Sequence, residues 1–369
     1  MSVEVAHFGA RSSREPVLVD VGTCNAIGLD PHQTWAFRRA EITAFVESPF
    51  RLPSGNVLSF ARVRQLDPRT TGVDRVAAMA ARAIASVDRT LSRIPASARI
   101  GVALCISDRA DLPGLERRAS QLRRRLESEL VGPLLERGLE VQPRTYDQGH
   151  ASMAHAALWL GRALEERELD LGLVLGADSH YDPVLLEHHF ADERVLDSDW
   201  REAFVPGEAA TVLVLARPDV AREMGVEPTA RLLSAATHEE VARRDNDVGQ
   251  LGLGLSRAAV AVVRRLVDEG RALDWWLSDA TGESLRLQEL QLAWPRAAHL
   301  AMTPEGSLDM LPSHFGELGA ATMPTGVMLG VEGLRRGDPA GRTVLVTGSS
   351  DGGERGVVLF EAIPPPAPR

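Results

Sequence analysis

The chain has 369 residues, 44% hydrophobic and 25% charged, with a formal net charge of -10. That length exceeds one small core and predicts two domains or one large two-part fold. The acid excess argues against nucleic acid as the main partner, which needs a basic face. No apolar run approaches the roughly 20 residues of a membrane-spanning helix. The opening MSVEVAHFGARSSRE also lacks the apolar core of a signal peptide, so a cytoplasmic location is expected.

Strand-like and helix-like segments alternate along the chain. Residues 16–22 (PVLVDVG) read as a buried strand and HQTWAFRRA as a short helix. Apolar spacing predicts one helix over 75–91, a strand over 99–106 and one helix over 120–138. The basic cluster Arg117, Arg118, Arg123, Arg124 and Arg125 is interleaved with Glu116, Glu127 and Glu129, the pattern of a solvated helix face. The stretch YDQGHASMAHAALWLGRALEE then sets a short polar turn ahead of an apolar helix, with His150 at its tip. Strands follow over 169–178 and 208–218, and 217–229 reads as a linker.

Beyond the linker the same grammar returns. Residues 230–237 are strand-like, 253–270 form a helix stopped by Gly270, and 272–282 form a strand and turn. Trp275 and Trp276 alternate across that strand, which places one ring in the core and the other at an interface. A helix spans 321–337, and a hairpin-like strand pair spans 342–363 around Asp351, Gly352 and Gly353. The tail, 364–369, is an extended Pro-rich end. This is layered α/β with buried sheets, divided into halves 14–218 and 228–363 whose likeness suggests an ancient duplication.

Two cysteines, Cys24 and Cys105, exclude a disulfide framework and a cysteine-rich metal site, and both read as buried small hydrophobes. None of the 41 basic residues is lysine, so no step can use a lysine amine. His180, His188 and His189 lie near Asp178 and Asp182 without zinc-site spacing. LGLGL at 251–255 lacks the third glycine and acidic partner of a dinucleotide fingerprint. No metal and no cofactor are expected.

Seven segments carry a family resemblance: VLVDVGTCNAIGLDPHQTWAFRRAEITAF, RIGVALCISD, HASMAHAALWLGRALEERELDLGLVLGADS, FVPGEAATVLVLARP, LSDATGESLRLQEL, SHFGELGAATMPTGVMLGVEGL and VTGSSDGGERGVVLFEA. In this order and spacing they resemble the β-ketoacyl synthase (3-oxoacyl-ACP synthase) branch of the thiolase-fold superfamily, over nearly the whole chain. The resemblance implies a five-layered αβαβα fold built from two similar α/β halves, usually dimeric. It also implies a site for Claisen condensation. There a cysteine at a helix tip takes the acyl chain, the helix N-terminus stabilises its thiolate, and backbone N–H groups form an oxyanion hole. Two histidines and a lysine complete the family's site.

By motif, the cysteine position falls on His150, the first histidine on Thr281, the second on Gly316 and the lysine on Leu311. The gate phenylalanine falls on Asp351, ahead of Gly352 and Gly353. The resemblance thus implies a scaffold whose condensing groups are replaced. Imidazole is a poor permanent acyl acceptor, although it can hydrogen-bond a carbonyl or accept a proton. Ser152, His155, Glu283, His314 and Glu317 are further pieces of a remnant pocket, and Ser152 with a His and a Glu is the set a hydrolase would use. At a helix start, however, a hydroxyl usually caps or packs. The chain between Asp178 and Gly207 is shorter than in working synthases, which implies a reduced acyl tunnel.

The functional expectation is a pseudoenzyme used for binding. Synthase-like proteins of this kind occur beside effector genes of bacterial contact-dependent (type VI) secretion systems, which implies an adaptor for a protein effector. Two alternatives stand beside it. One is a chain-length-factor-like subunit, paired with an active ketosynthase and meeting an acyl carrier protein. The other is an acyltransferase or hydrolase using His150 or Ser152.

Overall fold

Apolar runs buried on both faces set the architecture. The computed structural model describes residues 2–9, 14–107, 109, 111–246 and 248–365. Its strands are β1 (Glu4–His7), β2 (Val17–Asn25), β3 (Phe45–Arg51), β4 (Val57–Ala61), β5 (Arg99–Cys105), β6 (Glu140–Tyr146) and β7 (Leu171–Ser179). β8 (Glu208–Ala216) completes the first half, and the second half adds β9 (Ala230–Glu239), β10 (Leu273–Ser278), β11 (Met302–Met310), β12 (Thr343–Ser349) and β13 (Glu354–Ala362).

These strands form two arrays, β6-β5-β7-β8-β2 and β11-β10-β12-β13-β9. Numbered by appearance within its own array, each runs third, second, fourth, fifth, first. The directions repeat as well. β5 is parallel to β6 and β7, as β10 is to β11 and β12, and the remaining pairings within each array are antiparallel. Among the described residues, strand pairing joins the arrays where β2 touches β9, at Val17 with Arg231 and Leu18 with Ala230. β1 adds to β9, and β3 and β4 form a separate hairpin.

Two helices, Ser152–Glu165 and Thr322–Arg335, are buried almost all round because they lie between the arrays. The first touches β5 and β7 on one side and β9 and β13 on the other; the second touches β12 and β13, then β7 and β8. Close approach is possible because the second helix presents glycine: a Cβ on Gly326 would stand 2.7 Å from Val346 Cγ1. The helix Gly72–Ser86 covers the outer face of β2, β7 and β8. Leu253–Asp268 covers β9 and β13 and carries Ser284–Ala301 on its back. The result is helix, sheet, helix, sheet, helix, with a central core fed by both halves and an outer core on each side.

Several elements differ from the expectations. The helix expected over 75–91 breaks at Val87 into Gly72–Ser86 and Asp88–Leu91. The one expected over 120–138 contains a π turn, Glu127–Val131, just ahead of Pro133, whose ring has no N–H to give the ladder. The expected split of the two tryptophans is corrected: both are fully buried. Trp275 lies in the central core and Trp276 in an outer one, because alternate faces of β10 are both covered. The segment 217–229 contains the helix Pro218–Glu223. Residues 366–369 of the Pro-rich tail lie outside the described residues. Among the described residues, no helix is long and apolar enough to cross a membrane.

Candidate functional site

The two central helices begin alike. Each is preceded by a single 3-10 turn, Gly149–Ala151 for one and Gly319–Ala321 for the other. Each tip is tied to the end of a strand from the opposite half. Beyond β12, Ser350 Oγ accepts the Ala151 N–H at 3.0 Å and donates to the Gln148 carbonyl. At the end of β7, Asp178 accepts the Ala320 N–H at 3.4 Å. Gly348 lets β12 pass directly against the His150 backbone, where a Cβ would collide with the His150 carbonyl. The tips therefore face each other, and His150 meets Glu317.

His150 Nε2 hydrogen-bonds Glu317 Oε1. Arg286, from the first turn of Ser284–Ala301, places Nη1 3.0 Å from His150 Nε2 and 3.1 Å from Glu317 Oε2, and its Nη2 donates to Asp351 Oδ1 at 3.0 Å. Arg194 binds the other oxygen of Asp351 at 2.7 Å and Glu283 Oε1 at 2.9 Å. Thr281 orients Glu283 by accepting its N–H and donating to its carboxylate, both at 3.2 Å. The result is one continuous network of acids, two guanidiniums and an imidazole, buried except at Asp351, and pairing of this kind is the form in which buried charge is tolerated.

Electrostatics follow from that packing. Burial opposes ionisation of Glu317, but His150 and Arg286 outweigh it and hold the carboxyl well below the usual carboxylate range. Asp351 is held low in the same way by Arg194 and Arg286, although half of its side chain is exposed and the pair is screened accordingly. Asp279 goes the other way: burial raises it, and His150 and Arg286 only partly oppose that. A second cluster adjoins the first. Arg109 grips Asp178 at 2.8 and 3.0 Å, and Ser107 donates to it at 2.5 Å. Burial and then Arg109 lower the neighbouring His180 to about 4.

A cavity of about 820 Å3 opens over both clusters, with His150, Glu317, Arg286 and Asp351 in its wall. Of the residues singled out from the sequence, His150, Glu317, Asp351 and Gly352 line it, and Glu283 and Thr281 stand behind the wall. Gly353, with φ +105°, completes the tight turn. Ser152 is corrected to a packing role: it is fully buried and donates to the Ile106 carbonyl at 3.2 Å. His155 lies at a separate groove, stacked on Tyr146, and His314 sits on the short helix Pro312–Phe315 away from the cavity. Leu311 is buried in the central core, and Gly316 takes φ +68° at the end of that short helix. Arg194, Arg286, Arg109 and Asp178 join the site without having been singled out for it. Both thiols lie elsewhere, in strands β2 and β5; burial pushes Cys24 up to about 11 and Cys105 further. Among the described residues, no group of His, Cys, Asp and Glu is placed to hold a metal ion.

No family model and no curated protein matches the chain. Solved structures do. The chain is similar to the ketosynthase from module 6 of the bacillaene synthase from Bacillus subtilis 168, at 13% identity over 95% of this chain and 72% of that one, with a TM-score of 0.74. It is similar to the ishigamide ketosynthase/chain length factor at 18% identity over 95% of this chain and 99% of that one, also at 0.74. A third is a type II polyketide ketosynthase solved with its acyl-carrier protein, at 15% identity, 95% and 100% coverage and 0.73. The likeness establishes the fold: the chain has the thiolase-like architecture of the ketosynthases.

Proposed function

We propose that this chain is a non-condensing, ketosynthase-like binding protein that keeps the synthase scaffold and uses it to engage a partner. The observation that carries this reading is the closed ion network at the helix tip. His150, in the position that the resemblance gives to the acyl-accepting cysteine, is engaged by Glu317 and Arg286 rather than presented to a thioester. The charged wall also suits an acyl chain poorly, since burial of a hydrocarbon needs apolar lining. An adaptor for a protein effector is the form of this role that the resemblance favours.

A second reading, a chain-length-factor-like subunit, is supported by the match to the ishigamide ketosynthase/chain length factor over 99% of that chain. Among the described residues β6 ends its array, and it offers an edge where a ketosynthase-like chain could add. Copurification with a co-expressed ketosynthase would favour it.

The decisive measurement is intact mass of the protein after incubation with acyl-CoA and acyl-carrier-protein thioesters, with thiol release followed in parallel. Neither a covalent adduct nor release above buffer is expected. An adduct, or release abolished by His150→Ala or Ser152→Ala, would overturn the proposal in favour of an acyltransferase or hydrolase.

A further inference from the structure

Among the described residues, the cavity wall holds eight Asp and Glu residues against four arginines. The arginines are committed to acids in the wall or behind it: Arg109 to Asp178, Arg194 to Glu283 and Asp351, Arg244 to Glu283, and Arg286 to Glu317 and Asp351. At the rim, Asp111, Asp192, Glu193 and Asp245 are exposed. Deeper in, His189 is 6% exposed, lines the same cavity, and its Nε2 has no hydrogen-bond partner. Burial, then His180 and Arg194, hold that ring well below the usual histidine range, and a neutral imidazole keeps one nitrogen as an acceptor.

The connection that supplies Arg244 and Asp245 to the cavity lining also carries exposed apolar side chains. Val241, Val248 and Leu251 are 63%, 47% and 59% exposed on the connection between β9 and Leu253–Asp268. The described residues of that connection are pinned. Arg243 donates to the Gly352 carbonyl at 3.3 Å, and Arg244 to the Asp192 carbonyl at 2.6 Å. Asn246 bridges the Val241 carbonyl and the Val248 N–H at 2.9 and 3.2 Å. Large apolar side chains held outward beside an acid rim mark an interaction surface.

We infer that the cavity mouth docks a polypeptide segment of a partner, in which a basic side chain is held by the acid rim of Asp111, Asp192, Glu193 and Asp245 while neighbouring apolar side chains cover Val241, Val248 and Leu251. Charge complementarity selects this occupant: the rim attracts a guanidinium or ammonium and repels an acidic segment. The inference rests on the reading of the chain as a binding protein and names the chemistry of its partner.

The test titrates the full chain into a fluorescein-labelled peptide of alternating leucine and arginine, read by anisotropy, beside matched leucine–glutamate and leucine–glutamine peptides. Only the arginine peptide should bind. Asp192→Asn with Glu193→Gln should weaken it at least about tenfold, or 1.4 kcal/mol, and Val241→Ser with Leu251→Ser should do the same. Asp74→Asn with Glu116→Gln, which alter a separate groove, should leave it unchanged. The inference is overturned by no binding, by equal binding of either control peptide, by rim or loop variants without effect, or by an equal loss in the separate-groove pair. An acyl adduct at His150 would instead overturn the binding-protein reading and leave these affinities unmoved, so the two failures are distinguishable.

Discussion

Arg286 serves His150, Glu317 and Asp351 from one guanidinium, with Glu283 at 3.6 Å and Asp279 at 3.7 Å. Removing one partner of a buried ion pair costs about 3–5 kcal/mol, because the remaining charge is stranded. Arg286→Met keeps the bulk of the stem and deletes the charge, so its urea midpoint should fall by that equivalent. Arg286→Lys should recover only part, since an ammonium lacks the fork that reaches several acceptors. An unchanged midpoint in Arg286→Met would mean that the network adds nothing to stability. His180 gives a pH dependence. Its folded value, about 4, lies below the ordinary 6.5, so the unfolded chain binds a proton that the folded chain refuses. Stability is therefore full above pH 6.5 and declines as pH falls toward 4, by about 3 kcal/mol at 1.36 kcal/mol per pH unit. Thermal melts of His180→Phe should lose that slope, and a slope that persists would assign it to other groups. At this scale the sequence displays the acids and the tip histidine, which stand beside apolar runs and glycine turns. It hides the guanidiniums, because Arg194 and Arg286 are two of 41 basic residues with no local mark of facing inward. His155 and His314 show the converse: proximity to a motif in the chain does not bring a side chain to the cavity.

The helix Thr322–Arg335 owes its seat between the sheets to a smooth face. A side chain at Gly326 would enter space held by Val346 and Leu311, with the first carbon already within 2.9 Å of both. Gly326→Val should therefore destabilise by about 1–3 kcal/mol through overpacking. Val346→Ala in the same chain should restore part of it, a coupling that a double-mutant cycle on thermal melts would detect. Additive losses would refute the contact. Legibility among the elements follows burial. β2, β5, β7, β8, β9, β12 and β13 are readable because covered strands are continuous apolar runs. β3, β6 and β11 are not, and each carries a proline, Pro49, Pro143 or Pro304, with much of its length exposed or half-exposed. Proline argues against a strand interior yet is tolerated at an edge, where the missing N–H costs no ladder bond. Both β6 and β11 end their arrays. Edges announce themselves through topology, which local pattern does not contain.

Over the whole molecule, strand–helix alternation makes the layered class readable, whereas the shared strand order of the two arrays appears only in three dimensions. The site depends on that arrangement. His150 and Glu317 are 167 residues apart, Arg194 and Asp351 are 157 apart, and Ala151 and Ser350 are 199 apart. Contacts of such separation form late, after the loop entropy of the intervening chain has been overcome. During synthesis the N-terminal half emerges first and folds toward its own sheet, with His150 and Arg194 in place but neither Glu317 nor Asp351 yet made. Until the second half docks, the cavity has one wall. A partner that read both walls, as proposed above, would thus discriminate finished chains from nascent or truncated ones, and its binding would certify that the two halves have already met.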